Sequence, residues 1–360
     1  MLRRYLLLLV LSAAVTRPLA LLFSVAALTT SMALVAAQPR ASGPLPANLE
    51  TYLDQHVHLD AASRSRLLAG EAVTKLLDSD PAKEVAVFGA VWIAGPIERY
   101  LDTVKDIERF ESGEAFRVTK KVSSPPRVED FAQLTIPAED VQDLRSCKVA
   151  QCELKLAESA ILRMRNEIQW SRPDTGEQVN RLARQMAFEY VTSYLKGGNA
   201  ELAVYRDSER PTFVAQEFAS MIGRLPALGE FMAEVRRYLL DFPRATLPDS
   251  DSFVYWQEAN FGLKPTIRIN HLVIARNAGG AIVASKMLYA SHYFWTALEL
   301  RALVRDPQRG SGFWFVTESR SRSDGLGGFV GRLLRGKVRG EAEKGTATVL
   351  QLTKRTMERR

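Results

Sequence analysis

The chain has 360 residues, a formal net charge of +7 and 46% hydrophobic residues, which is an ordinary composition for a globular protein. The length is large for one domain unless that domain carries an insertion. No motif of interleaved basic and aromatic residues is present, so the positive charge does not predict that the protein binds nucleic acid.

The N-terminus predicts export. Residues 1–37 consist of a basic start and two apolar runs, and they end in Val-Ala-Ala before Gln38. Small residues are typical of a signal-peptide cleavage site, so we predict a periplasmic protein whose mature chain begins near Gln38. Cleavage removes three arginines and no acidic residue, which lowers the net charge from +7 to +4. The alternative is an uncleaved inner-membrane anchor, because the second apolar run is nearly long enough to span a bilayer.

The only two cysteines, Cys147 and Cys152, are separated by four residues. In an oxidising compartment this spacing predicts a small disulfide loop. A loop this short contributes about 2 kcal/mol by restricting the unfolded chain.

The predicted elements begin after a spacer at residues 38–47. Apolar periodicity, turn residues and β-branched runs divide residues 48–137 into short helices at 48–55 and 61–70, strands at 71–77, 84–93, 115–122 and 131–136, and a helix at 97–110. His56 and His58 are similar to the first metal ligands of amidohydrolases. Such a site needs further histidines and alternating strands and helices, so we predict no metal site.

Residues 138–245 have a helical pattern and are predicted to be an insertion. Its helices are expected at residues 158–169, 176–195, 212–223 and 228–241, with a loop at 204–207. Strands resume in residues 246–360, and residues 325–357 are predicted to form one long helix, interrupted near 336–340 by glycines.

Within this last part, residues 277–280 (Asn-Ala-Gly-Gly) predict a hairpin with a two-residue loop at 278–279. The resulting register sets His271 opposite Lys286 and Arg268 opposite Tyr289. Because side chains alternate along a strand, His271 and Lys286 are expected on a mainly apolar face, with His292 on the same face if the strand has no bulge.

Two stretches of the sequence resemble the START-related, polyketide-cyclase-like (SRPBCC, helix-grip) superfamily. One is VAVFGAVWIAGPIERYLDTVKDIERF at residues 85–110, and the other is the order of long strands followed by a helix at residues 267–357. The helical block at residues 138–242 departs from that family. The resemblance implies an α+β fold in which an antiparallel sheet grips a long C-terminal helix. It also implies an apolar cavity between sheet and helix, which in most family members holds a hydrophobic ligand.

The candidate ligand-binding residues are His271, Lys286, Tyr289, His292, Tyr293 and Arg268. A lysine in an apolar cavity loses hydration, which lowers its pKa, and a histidine beside it exchanges protons near neutral pH. The preferred interpretation of this pair is structural: Lys286 reaches a sheet edge or pairs with Glu299 or Glu258, and His271 is a satisfied core residue. The functional hypothesis is that Lys286 and His271 bind the anionic or polar head of an otherwise apolar ligand.

No catalytic residue and no cofactor are predicted, since no Gly-x-Ser-x-Gly or P-loop motif occurs. The preferred hypothesis is an exported protein that binds a lipid-like or other hydrophobic small molecule. The alternatives are an enzyme that uses Lys286 and His271 on a hydrophobic substrate, and a structural or partner-binding envelope protein whose interface is the helical block. The basic C-terminal helix also permits contact with an anionic membrane surface, although a solvated helix face is the preferred explanation of its charge.

Overall fold

The computed structural model describes residues 44–260, 264–326 and 328–359. The predicted signal segment and the first part of the spacer lie outside these residues. The α-helices of the described chain are α1 (Ala47–Tyr52), α2 (Ala61–Leu68), α3 (Ile97–Lys105), α4 (Ile107–Phe110), α5 (Ala138–Ser146), α6 (Glu158–Glu167), α7 (Thr175–Gly197), α8 (Val214–Ile222), α9 (Pro226–Phe231), α10 (Ala233–Asp241) and α11 (Gly328–Glu358). Within the described residues, no helix combines the length and apolar character that crossing a membrane requires.

The strands are β1 (Val73–Leu76), β2 (Glu84–Ile93), β3 (Phe116–Lys121), β4 (Val204–Tyr205), β5 (Thr212–Phe213), β6 (Ser250–Ala259), β7 (Thr266–Asn277), β8 (Gly280–Ala290), β9 (Phe294–Arg305) and β10 (Phe313–Ser323). Eight of them form one antiparallel sheet in the order β1-β2-β10-β9-β8-β7-β6-β3, and β4 pairs with β5 in a separate ribbon. The predicted fold class is confirmed: the protein is α+β, with an antiparallel sheet against which the C-terminal helix α11 packs.

Both faces of the sheet are covered by helices. On the face that we call the front, Val91 and Phe315 pack against Ile97 of α3 and Leu350 of α11. The front face approaches α11 so closely at Gly89 that an added Cβ would lie 2.8 Å from atoms of Leu350. Glycine therefore lets the long helix rest directly on β2.

The opposite face, the back, carries two groups of helices. Phe88 and Val316 pack with Phe218 of α8 and other residues of α1, α2, α9 and α10. Towards β6 and the far ends of β7 and β8, the back face is covered instead by α5, α6 and α7, which enclose Trp256 and Leu288. The helices between β3 and β6 thus form a layer on the side of the sheet opposite to α11.

Several predicted elements differ in the structure. The predicted strand at residues 131–136 is wrong: a 3-10 turn at Val128–Phe131 occupies its start, because the Asp130 carboxylate accepts hydrogen bonds from the backbone N–H groups of Ser123 and Arg127. The predicted loop at 204–207 contains strand β4. The predicted helix at 228–241 is divided into α9 and α10 by the extended backbone of Met232.

Helix α11 continues through the glycines at which an interruption was predicted. Val338, Ala342, Thr346 and Leu350 recur at four-residue intervals and are all buried. This continuous buried stripe on the sheet offsets the helix-weakening effect of the glycines, because tertiary packing outweighs intrinsic propensity.

The predicted disulfide between Cys147 and Cys152 is present. It joins the end of α5 to the segment that leads into α6, and Cys147 is buried in the same apolar cluster as these helices. The bond therefore restrains the connection between two of the three helices that cover the far end of the back face.

Candidate functional site

The β7–β8 hairpin has the predicted two-residue loop, and His271 lies opposite Lys286 as expected. Asn277 pairs with Gly280 across the loop. Gly280 has φ 147°, and a side chain there would overlap the carbonyl oxygen of Leu303 on β9. Only glycine fits at this position of the turn. The turn sets the register of the hairpin from its loop to the bulge.

His271 and Lys286 are 1% and 0% exposed, on the back face. The Tyr194 hydroxyl lies 2.9 Å from His271 Nδ1 and 3.3 Å from Lys286 Nζ. The lysine also donates to the side-chain oxygen of Asn199, and its amine lies 4.4 Å from the centre of the Phe218 ring. Helices α7 and α8 and the turn after α7 therefore supply these three contacts to the amine.

Burial lowers the pKa of Lys286 from 10.5 to about 7. Burial, together with the nearby lysine charge, lowers the pKa of His271 from 6.5 to about 3. Among the described residues no carboxylate lies within ion-pair distance of Lys286, so no ion pair offsets the loss of hydration. The imidazole is therefore neutral at neutral pH, and the amine is divided between its two protonation states.

The two carboxylates considered as partners of Lys286 have other partners. Glu299 pairs with Arg301 at 2.7 Å, and Glu258 pairs with Arg117 at 3.3 Å. Lys286 instead stays in the interior and makes its hydrogen bonds to neutral oxygens.

The predicted pairing of Arg268 with Tyr289 is wrong. A bulge at Leu288 shifts the register, so that Ile269 faces Tyr289 and Arg268 faces Ala290. The extra residue turns the Tyr289 ring to the back face, where it meets the tyrosines of the helical layer. The Arg268 guanidinium donates to the side-chain oxygen of Gln257 instead, so it belongs to a different site from Tyr289.

A cavity of about 340 Å³ lies between the back face and helices α5, α6 and α7. Its wall is mainly apolar and combines side chains from the helices with the ends of β7 and β8. The lining residues are Leu134, Ile136, Asp140, Leu144, Leu154, Leu156, Ala157, Ser159, Ala160, Arg163, Met164, Ala183, Met186, Ala187, Glu189, Tyr190, Ser193, Glu201, Ala203, Ile267, Ile269, Tyr289 and Ser291. His271 and Lys286 are not part of this lining.

Tyr289 is the predicted site residue that lines the cavity. Its ring lies edge-on between those of Tyr190 and Tyr205, with centres 6.3 and 6.2 Å away. The Tyr190 hydroxyl donates to the Leu288 carbonyl at 2.7 Å, whereas none of the residues that the structure describes hydrogen-bonds the Tyr289 hydroxyl. Burial, and then the charge of Asp140, raises the pKa of Tyr289. It therefore stays protonated as a hydrogen-bond donor.

Asp140 borders the same cavity and is 2% exposed. Its carboxylate lies 2.9 Å from His292 Nε2 and 3.4 Å from Lys264 Nζ. Tyr293 adopts φ 64° in the tight turn after β8, and its hydroxyl accepts a hydrogen bond from the Lys264 backbone N–H. His292 therefore contacts Asp140 and Tyr293 contacts Lys264, but neither His292 nor Tyr293 is part of the cavity lining.

The rim of the cavity is polar. Arg163 pairs with Glu189 at 2.6 Å and with Glu167 at 2.9 Å, and the lining residues Ser193 and Glu201 are exposed. An apolar interior with a few polar groups at its ends can bind a small apolar molecule and orient its head. No group of histidine, cysteine or acidic residues that could hold a metal ion occurs in the described chain.

The sequence-based interpretation missed the helical part of this site. Asp140 and Tyr190 were not candidates, because their roles depend on how α5 and α7 meet the sheet. The small residues Ala183 and Ala187, one turn apart on the apolar stripe of α7 and followed by Tyr190, are the signal that could have indicated space beside this helix.

No protein-family model matches the chain, and a search of curated proteins finds no match.

Proposed function

We propose that the protein binds a hydrophobic small molecule in the cavity between α5–α7 and the back face of the sheet. The observation that carries this proposal is the apolar interior of about 340 Å³ with a polar rim. Small-molecule sites typically measure about 300–1,000 Å³ and have the same division into apolar walls and few polar groups. This cavity lies at the lower end of that range.

The wall supports an adaptable binding site. Met164 and Met186 line it from adjacent helices, and unbranched thioether side chains adjust to ligands of different shape. Ala160, Ala183 and Ala187 supply the space, because a larger side chain at any of them would project into the cavity. A filled core would be expected to carry larger residues at these positions.

The test is binding of N-phenyl-1-naphthylamine, a neutral probe that fluoresces in apolar surroundings, combined with native mass spectrometry of the purified full-chain protein. We expect saturable probe binding, and a bound mass that denaturation releases. Ala187→Phe, and separately Ala160→Phe, would fill the cavity and abolish both signals. Ala62→Phe, at an exposed position on α2, is the matched control and should bind as the wild type does.

Circular dichroism establishes that each variant is folded. Probe binding that survives both filling substitutions in folded protein would show that the ligand lies elsewhere. Absence of any probe binding by the wild type would overturn the proposed function.

We also propose that the protein is exported. The basic and apolar residues 1–37 and the Cys147–Cys152 disulfide support this proposal. Cell fractionation with N-terminal sequencing tests it: a periplasmic protein that begins near Gln38 is the expected outcome, and a full-length chain in the cytoplasm would contradict it.

We further propose kinship with the START-related superfamily. Support comes from the chain order, in which β2 is followed by helices and β3, and β6–β10 are followed by α11. The ligand site proposed here lies on the other side of the sheet from α11, in the helical layer that departs from the family pattern.

A further inference from the structure

We infer that the cavity selects ligands whose head is a neutral hydrogen-bond acceptor, such as a ketone or ester carbonyl, over carboxylates. This inference rests on the proposed binding function and names the class of ligand. Two independent features of the wall carry it: a partly exposed tyrosine whose hydroxyl has no hydrogen-bond partner among the described residues, and an excess of acidic side chains.

The donor is Tyr289. Its neighbour Tyr190 has the same kind of side chain, but that hydroxyl is engaged by a backbone carbonyl at 2.7 Å. None of the described residues engages the Tyr289 hydroxyl, although its ring is packed between two others. Tyr289 is partly exposed and lines the cavity, so a ligand acceptor that reaches its hydroxyl forms a hydrogen bond without breaking one to a described residue.

The charge of the wall opposes a carboxylate. Asp140, Glu189 and Glu201 line the cavity, and Arg163 is the basic residue that lines it. Arg163 is engaged by two carboxylates at the rim, those of Glu189 and Glu167.

The cation behind Asp140 is also outnumbered. Lys264 lies 3.4 Å from Asp140 and 3.6 Å from Glu139, and it donates to Asp143 as well. The group formed by Lys264, Asp140, Glu139 and Asp143 therefore retains negative charge, and a ligand carboxylate placed beside Asp140 would be repelled.

The comparison of ligands keeps the tail constant. Decan-2-one and decanoate are suitable probes, because they share a chain of ten carbon atoms and differ in the charge of the head.

The experiment is displacement of N-phenyl-1-naphthylamine from the wild-type protein at neutral pH by decan-2-one, decanoate and decylammonium. We expect the ketone to bind at least about tenfold more tightly than decanoate, as one unfavourable charge contact predicts. Equal or tighter binding of decanoate overturns the inference, and so does tightest binding of decylammonium. Since reporter binding establishes the proposed function first, failure of the selectivity is distinguishable from failure of the site.

Two variants separate the two features. Tyr289→Phe should weaken the binding of decan-2-one by roughly fivefold relative to the binding of the reporter, which is the effect of losing one neutral hydrogen bond. The affinity of decanoate relative to that of the reporter should not change. Glu189→Gln, at the exposed rim, should strengthen the binding of decanoate and reduce the ratio of ketone affinity to decanoate affinity. Asp140→Asn should do the same more strongly. If all three proteins are folded and the ketone-to-decanoate ratio does not move in any of them, the assignment of Tyr289 and the acidic wall is wrong.

Discussion

Two positions on strand β8, one on each side of the bulge at Leu288, differ in how their polar groups are satisfied. Before the bulge, Lys286 is fully enclosed, and Asn199 and Tyr194 satisfy its amine. After the bulge, Tyr289 packs between aromatic rings and lines the cavity, and its hydroxyl has no hydrogen-bond partner among the described residues. The same helix, α7, covers both positions.

The difference shows which buried polar groups are available to a ligand. A lysine in an apolar interior is the more unusual feature in sequence, but here the protein itself completes its hydrogen bonds. An ordinary tyrosine remains unpartnered because Ala183 and Ala187 leave space above it. The candidate site is therefore marked by a hydroxyl without a hydrogen-bond partner among the described residues, and not by an unusual residue type.

The largest expected effect concerns Lys286. Its pKa is 10.5 when unfolded and about 7 when folded, so between these values the unfolded chain binds the additional proton. Stability of the wild type should accordingly rise with pH from about 7 to 10.5, by on the order of 5 kcal/mol from this group. In Lys286→Met this contribution is removed, so the variant should exceed the wild type in stability at neutral pH and lose that advantage near pH 10.5.

Urea denaturation of both proteins across this pH range measures the difference. Subtracting one curve from the other removes the titration of all other groups. A stability difference that does not change with pH would contradict the depressed pKa of the buried amine. Reporter binding should be the same in both proteins, since Lys286 does not line the cavity.

The next effect is on the acid side. The pKa of His271 is about 3 in the folded protein and 6.5 in the unfolded chain, so the unfolded chain takes up the proton first as pH falls. The wild type should lose about 3 kcal/mol from this group between pH 6.5 and 4. His271→Gln retains a side chain that hydrogen-bonds Tyr194 and does not titrate, and its unfolding curve should lack this loss. If the free energy of unfolding depends on pH in the same way in the wild type and the variant, the conclusion that His271 is buried in its neutral form is wrong.

The smallest effect compares two tyrosines directly. Tyr194→Phe removes the hydroxyl shared by His271 and Lys286 and should destabilise the protein by about 1–3 kcal/mol, the cost of leaving buried groups unsatisfied. Tyr289→Phe should change stability by less than about 0.5 kcal/mol, because its hydroxyl has no partner among the described residues. Thermal and urea unfolding of both variants tests this, and equal destabilisation would remove the distinction between the two sides of the bulge in β8.

The sequence predicted one part of the strand pairing at the site correctly and another part incorrectly. The Asn-Ala-Gly-Gly turn and the alternation of the flanking strands were sufficient to place His271 opposite Lys286, because hairpin register follows from loop length. The same reasoning failed three residues further on, where the bulge at Leu288 reassigns Tyr289 to the other face. Bulges depend on packing with neighbouring elements, here the aromatic rings of the helical layer, so alternation alone does not predict them.

By itself, the sequence determined the α+β class, the disulfide, the β7–β8 turn and the long C-terminal helix. These features follow from local periodicity, the spacing of Cys147 and Cys152 and the backbone requirements of glycine. Only the tertiary structure decided that Lys286 is satisfied, that Tyr289 is not, and that Asp140 from α5 joins it at one cavity. Each of these depends on which side chains meet across more than 80 residues of chain, and contacts between such distant segments carry no local signal in the sequence.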